Sequence, residues 1–205
     1  MQEIKRELLI VEGDSAANAV RQYATHHQTV LALQGKPINA LKATHAQVLA
    51  NEFLCAILDR LDDREAEANR VKPHHPFEQV ALLMDPDPDG VHCGLLILWF
   101  FYRYLRSWLD EGRLLQIVAP RLEVFDVARN RSHFAYTDKG ADSIADQIRA
   151  KHGEVVLQVR KVRGLAAMPS DVLQKHCVSQ DTRRQIILNA EDAEKGWMQG
   201  PDPIR

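Results

Sequence analysis

Leu8-Leu9-Ile10-Val11 is a short apolar run, β-branched toward its end and closed by Glu12-Gly13-Asp14. It reads as a buried strand that runs into a polar loop. Asp14 or Ser15 can cap a following helix that reaches to about His26. A second strand, Thr29 to Leu33, stops at Gln34-Gly35. Leu41, Val48, Leu49, Phe53, Ile57, Leu58 and Leu61 then recur at helical spacing. They predict one long amphipathic helix from Asn39, ending in the charged stretch Asp62 to Arg70 and followed by a Pro/His loop from Lys72 to Pro76. Val80 to Met84 is another apolar run that ends abruptly at Asp85. After Gly90, Leu95, Leu98, Trp99, Tyr102, Leu105 and Leu109 predict a single helix closed by Gly112, with the next strand over Leu114 to Ala119. Leu122 to Ala128 and Ser132 to Thr137 form a hairpin pattern around Arg129-Asn130-Arg131. A helix from Lys139 to Lys151, a strand from Val155 to Val162 and a helix after Pro169 follow, and the Gly/Pro-rich end beyond Glu194 is expected to be loose. Strands and helices alternate through the first two-thirds, so the expected architecture is α/β, an open and mostly parallel sheet.

Composition narrows the setting without naming a chemistry. A chain of 205 residues has room for one domain with its own core, or one domain with a small appended lobe. The formal net charge of -2 gives no overall attraction to nucleic acid, so any such contact needs a local patch. The three cysteines, Cys55, Cys93 and Cys177, are far apart and odd in number. They offer neither a disulfide framework nor a zinc site and suit a reducing cytoplasm. The longest apolar run, Gly94 to Tyr102, is about half of the roughly 18 residues that a membrane helix needs. Met1 to Glu7 has no apolar stretch resembling a signal peptide. The expectation is a cytoplasmic protein with no membrane partner.

Carboxylates supply the candidate chemistry. In open α/β sheets ligands collect outside the carboxyl ends of the strands, and Glu12 and Asp85-Pro86-Asp87-Pro88-Asp89-Gly90 both fall at such ends. A residue before proline is pushed to an extended conformation, and alternate residues of an extended segment share a side. Asp85, Asp87 and Asp89 are therefore expected to gather. Carboxylates crowded this closely repel one another unless a hard cation neutralises them, and magnesium, which keeps waters and takes few carboxylates, leaves room for a phosphate. An EF-hand is excluded because its twelfth position, counted from Asp85, is Leu96 within an apolar helix. By itself the run also fits a solvated acidic turn or a turn stiffened by its prolines. The pairing with Glu12 favours a site.

Leu9-Ile10-Val11-Glu12-Gly13-Asp14-Ser15-Ala16, followed by the run from Asp85 to His92, resembles the TOPRIM signature of the B subunits of type IIA DNA topoisomerases, gyrase and topoisomerase IV. Leu33 to Asn39 is similar to the family's L-[RK]-G-K-I-L-N stretch, and Leu96 to Arg103 to its L-L-L-T-F-F-Y-R helix. Ala119-Pro120-Arg121-Leu122 sits where the family has Q-P-P-L. Arg163 to Met168 resembles K-G-L-G-E-M, and Asp181 to Arg184 resembles D-P-x-x-R-R. The resemblance implies a Rossmann-like TOPRIM domain over residues 1–125, its mostly parallel sheet flanked by helices. A small α+β tail region over 126–193 and a loose 194–205 would follow. It implies Mg2+, with Mn2+ as substitute, held by Glu12, Asp85, Asp87 and, in an auxiliary role, Asp89. It implies catalytic roles for Glu12 (general acid or base), Lys36 and His92, and DNA contacts by Lys36, Asn39 and Arg163. The implied partners are double-stranded DNA and a gyrase A-like subunit that supplies the tyrosine. An ATPase-bearing chain is a further candidate partner, since 205 residues leave no room for the family's ATPase and transducer domains.

The departures from the family fall mainly at DNA-facing positions: Ala17 and Asn18 replace two glycines, Gln34 a basic residue, and Ala166 and Ala167 a glycine and a glutamate. Glu123 stands where the family has tyrosine. The expected function is a magnesium-binding TOPRIM module that supports reversible DNA cleavage with an A-subunit tyrosine. A free-standing metal-dependent nuclease and a non-catalytic regulator that binds an A subunit or DNA are the alternatives. His26-His27 and His74-His75 read as exposed loop residues, and Trp99 to Tyr102 as core rather than a base-stacking platform. Arg160, Lys161 and Arg163 form a modest basic cluster, with Lys161 and Arg163 on one side of an extended segment.

Overall fold

A computed structural model of the protein describes residues 4–61 and 76–196. The charged stretch from Asp62, the His74-His75 pair and the chain end beyond Gly196 lie outside the described residues. Four short apolar runs form parallel strands: β1 (Glu7–Glu12), β2 (Gln28–Leu33), β3 (Gln79–Leu83) and β4 (Leu114–Ile117). A strand that sequence reading did not expect, β8 (Gln185–Ile187), adds antiparallel to β4, giving the order β2-β1-β3-β4-β8.

Both faces of this sheet are covered, which is why β1 and β3 read as continuous apolar runs. Leu8, Ile10, Val80 and Leu82 face a core made with α2 (His45–Leu49), α3 (Glu52–Leu61), α4 (Pro88–Tyr104) and α5 (Arg106–Asp110). Leu9, Val11, Ala81 and Leu83 face the other side, against α1 (Gly13–Arg21), the 3-10 turn Leu165–Ala167 and α7 (Ser170–Leu173). A second sheet, order β6-β5-β7, is antiparallel and built from β5 (Leu122–Asp126), β6 (Arg131–Ala135) and β7 (Leu157–Lys161). Its inner residues Leu122 and Val124 pack on α6 (Asp138–His152) through Ala141, Ala145 and Ile148. The fold is α/β with a mainly parallel central sheet, as expected. Among the described residues no helix is long and apolar enough to cross a membrane.

Several element bounds differ from the expectation for local reasons. The helix expected to reach His26 ends at Arg21. The single helix expected over 39–61 is two, because Thr44 starts α2 with a capping box and Asn51 accepts the Leu54 N–H at 3.0 Å to start α3. The helix after Gly90 breaks at Leu105, whose φ of -134° and ψ of 43° are not helical. Trp108 of α5 then turns back edge-on to Phe101. The last helix among the described residues is α8 (Ala190–Lys195), whose Ala193 carbonyl accepts the Trp99 indole N–H at 2.9 Å.

One buried polar cluster ties the start of the sheet to its last strand. Glu7 and Arg183 are both fully buried and form an ion pair through both carboxylate oxygens. Gln79 donates to the same carboxylate at 2.7 Å and Gln28 at 2.9 Å, while Gln185 accepts from Arg183 Nε at 2.9 Å. Every oxygen of Glu7 is therefore satisfied, as a buried charge requires.

Candidate metal centre

Strand β1 delivers Glu12 to its carboxyl end, and Gly13, at φ +75°, lets the chain turn directly into α1. Strand β3 lies beside β1 in parallel register and delivers Asp85 just past its own end. Asp87 is extended, φ -126° and ψ 172°, and caps α4 by accepting the Gly90 N–H at 2.8 Å. Pro88 then occupies the first helical turn, where its fixed φ is favourable. The expected row of three aspartates on one extended segment is thus corrected. Asp89 belongs to the helix rather than to the extended segment, and its carboxylate accepts from Lys36 Nζ at 2.8 Å on the surface. Among the described residues no three His, Cys, Asp or Glu side chains are already drawn together as a cation site.

What the structure does bring together is a set of strained charges around Glu12 and Asp85. Burial raises the Glu12 pKa, and the negative charges of Asp85 and Asp87 raise it further. One Glu12 oxygen accepts the Cys93 thiol at 3.7 Å, and burial pushes that thiol up to about 11. The other, Oε2, is buried with no hydrogen-bond partner. Burial likewise raises the Asp85 pKa, opposed by the Leu165 N–H, which donates to its carboxylate at 2.8 Å. Asp85 sits in a seat that two glycines make possible. A Cβ on Gly164 would lie 2.8 Å from Asp85 Oδ2, and one on Gly90 would lie 2.9 Å from the Asp85 backbone nitrogen. An orphaned buried oxygen among mutually repelling carboxylates is chemically suited to a hard divalent cation.

The other candidates are arranged less uniformly. Lys36 is exposed and paired with Asp89, which raises the Lys36 pKa through that bond and holds Asp89 low. Asn39 uses its Oδ1 locally, accepting from the Leu41 and Lys42 N–H groups at 3.0 and 3.3 Å. His92 is exposed near the start of α4, and Arg163 is exposed one residue before Gly164. Of the departures from the resembled family, Ala17 is fully buried against the Leu165 turn, so it fills core rather than facing solvent. Asn18, Ala166 and Ala167 are exposed. Gln34 donates to Asp14 at 2.7 Å. Sequence reading missed Cys93 and the seating role of Gly164. The first lies one position after His92 in the same helix, and the second sits inside the quoted Arg163 to Met168 motif, but only the tertiary contact reveals either.

Known proteins resemble this chain along most of its length. The model of the Toprim domain matches residues 7–116. The DNA gyrase B subunit of Halalkalibacterium halodurans is 32% identical over 198 residues, covering 92% of this chain and 29% of that protein. The DNA gyrase B subunit of Metamycoplasma hominis is 29% identical over 192 residues, covering 92% of this chain and 28% of its own length. The DNA topoisomerase 4 B subunit of Streptococcus pneumoniae is 28% identical over 189 residues, again with 92% of this chain and 29% of its own length covered. The chain spans less than a third of the length of these relatives.

Proposed function

Because this chain belongs to the Toprim domain family, we propose that it is a magnesium-binding Toprim module of the type IIA topoisomerase kind, acting on double-stranded DNA with a gyrase A-like partner that supplies the tyrosine. The observation that carries the metal reading is Glu12 Oε2, a buried carboxylate oxygen without a partner beside the charges of Asp85 and Asp87. Glu12, Asp85 and Asp87 would hold Mg2+, or Mn2+ in its place, and Asp89 would join only by releasing Lys36. A cation there would neutralise charge developing on a phosphate.

The remaining roles belong to the protein's own groups. Glu12, with its pKa raised by burial and by its acidic neighbours, holds a proton more readily than an ordinary carboxyl and can exchange it with a reacting oxygen. Asp85 is oriented by the Leu165 N–H and by Gly164, so its carboxylate needs no search to meet a ligand. Lys36, freed from Asp89, and Arg163 would face DNA phosphates, which call for cations and no base readout. His92 lies near the start of α4. The exposed replacements Asn18, Ala166 and Ala167 favour one second reading, a regulator that docks on a topoisomerase or DNA without cleaving.

Calorimetric titration of Mg2+ and Mn2+ into the protein and into an Asp85→Asn/Asp87→Asn variant tests the metal reading. Saturable binding by the wild type that is lost in the variant is the expected result. Absence of binding at millimolar metal, with and without DNA, overturns it. Metal binding without any complex with a gyrase A-like chain would favour a free-standing nuclease, which plasmid nicking abolished by Glu12→Gln would then reveal.

A further inference from the structure

The small sheet has a face that nothing in the proposed metal chemistry uses. In β5, Leu122 and Val124 turn inward to α6, so Glu123 and Phe125 turn outward. Glu123 stands directly opposite Phe134 of β6 and Arg160 of β7, so these three share the outer face. Between this face and the segment that carries Arg163 and Met168 lies an open groove of about 540 Å³. Phe134 and Met168 give it an apolar floor and Arg160 and Arg163 a cationic rim, while the Lys161 side chain, opposite the inward-turning Leu122, belongs to the other face.

The rim is not neutralised from within the protein. The Arg163 side chain is exposed and, among the described residues, has no hydrogen-bond or ion-pair partner. Arg160 lies 4.7 Å over the Phe125 ring and donates to Gln158, which fixes its guanidinium at the edge. The single acidic wall residue, Glu123, is occupied by the Ser132 hydroxyl. An aromatic ring on the open face of an antiparallel sheet, flanked by unpaired cations, suits a stacked base with its phosphate. An intact duplex cannot offer that, since its base faces are covered by their neighbours. The groove also adjoins the carboxylates: Arg163 precedes Gly164, which seats Asp85.

We propose that this groove holds one unpaired nucleotide, its base on Phe134 and Met168 and its phosphate against Arg163. The same chemistry could arrive as a free nucleotide or as an unstacked position in a DNA strand. The strand is the source we favour, and that choice rests on the DNA reading above. The test uses fluorescence anisotropy without added metal, comparing an intact duplex, the same duplex with a three-nucleotide single-stranded gap, and AMP. The gapped duplex is expected to bind about tenfold tighter than the intact one, the range that one base–aromatic stack provides. Phe134→Ala, and Phe134→Leu, which keeps the apolar bulk, should both abolish that preference. Arg163→Gln should flatten the salt dependence of gapped-duplex binding by about 0.7 in log–log slope, the share of one phosphate. Equal affinity for gapped and intact duplexes, or a preference that survives both Phe134 variants, overturns the groove and leaves the DNA reading standing. Binding of AMP that depends on Phe134, with neither duplex bound, supports the groove for a free nucleotide and overturns the DNA reading. Binding of none of the three overturns both.

Discussion

Asp85 shows how much of a site can depend on residues without side chains. Its carboxylate is held by the Leu165 N–H and abuts Gly164, while its backbone crosses Gly90. The two glycines should respond differently to substitution. Gly164→Ala places a methyl 2.8 Å from Oδ2, so the carboxylate must swing away and give up the Leu165 bond. We expect stability to change by no more than about 1 kcal/mol, while calorimetric Mg2+ affinity falls about tenfold. Gly90→Ala meets backbone that cannot swing, and urea denaturation should register a loss of about 2–3 kcal/mol. The carboxylates themselves are legible in the sequence because each follows an apolar run that stops abruptly. Their grouping is not legible at Asp89. Proline extends the residue before it, as Pro88 does at Asp87, but it also opens helices, and that carries Asp89 away to Lys36.

Elements join through two polar contacts of different character. The Glu7–Arg183 pair fastens the segment leading into β8 to the start of the inner strand β1 in full burial. Arg183→Leu would leave Glu7 buried without its counter-charge, a loss of about 3–5 kcal/mol, and Glu7→Gln added to it should recover much of that in urea denaturation. The second contact joins β6's end to the turn after α7, where the Tyr136 hydroxyl meets His176 Nδ1 at 2.8 Å. Burial raises the Tyr136 pKa, so the phenol keeps its proton, and burial with Lys175 nearby holds the His176 pKa low. A histidine with a depressed folded pKa stabilises above the unfolded value of about 6.5 and loses that contribution as pH falls through the folded value. The wild type should therefore weaken more steeply than His176→Asn between pH 7 and pH 5, by up to about 1 kcal/mol in urea midpoints. Neither contact is visible in the sequence. Glu7 is a charged residue just ahead of the apolar run Leu8 to Val11, and β8 rests on only three apolar residues, Ile186 to Leu188, so only the partner across the fold makes either intelligible.

At the scale of the whole molecule, the first four strands, their helices and the hairpin are readable because every one is a local pattern closed by a polar stop. What escapes is what local pattern cannot carry: the helix break at Asn51, where Leu49 and Phe53 keep the helical period across it, and the return of the chain to the sheet edge after α7. That return has a consequence for synthesis. Glu7 and Arg183 are 176 residues apart, so at about 5–20 residues per second a ribosome needs roughly 9–35 s between them. Once synthesis has passed Ile117, the nascent chain holds all its proposed cation ligands and four strands of its central sheet, yet the carboxylate at the foot of β1 still awaits its guanidinium. Until translation has passed Arg183, the Glu7 carboxylate has no counter-charge in the dry middle of the sheet, so the nascent sheet is expected to be less stable than the finished one.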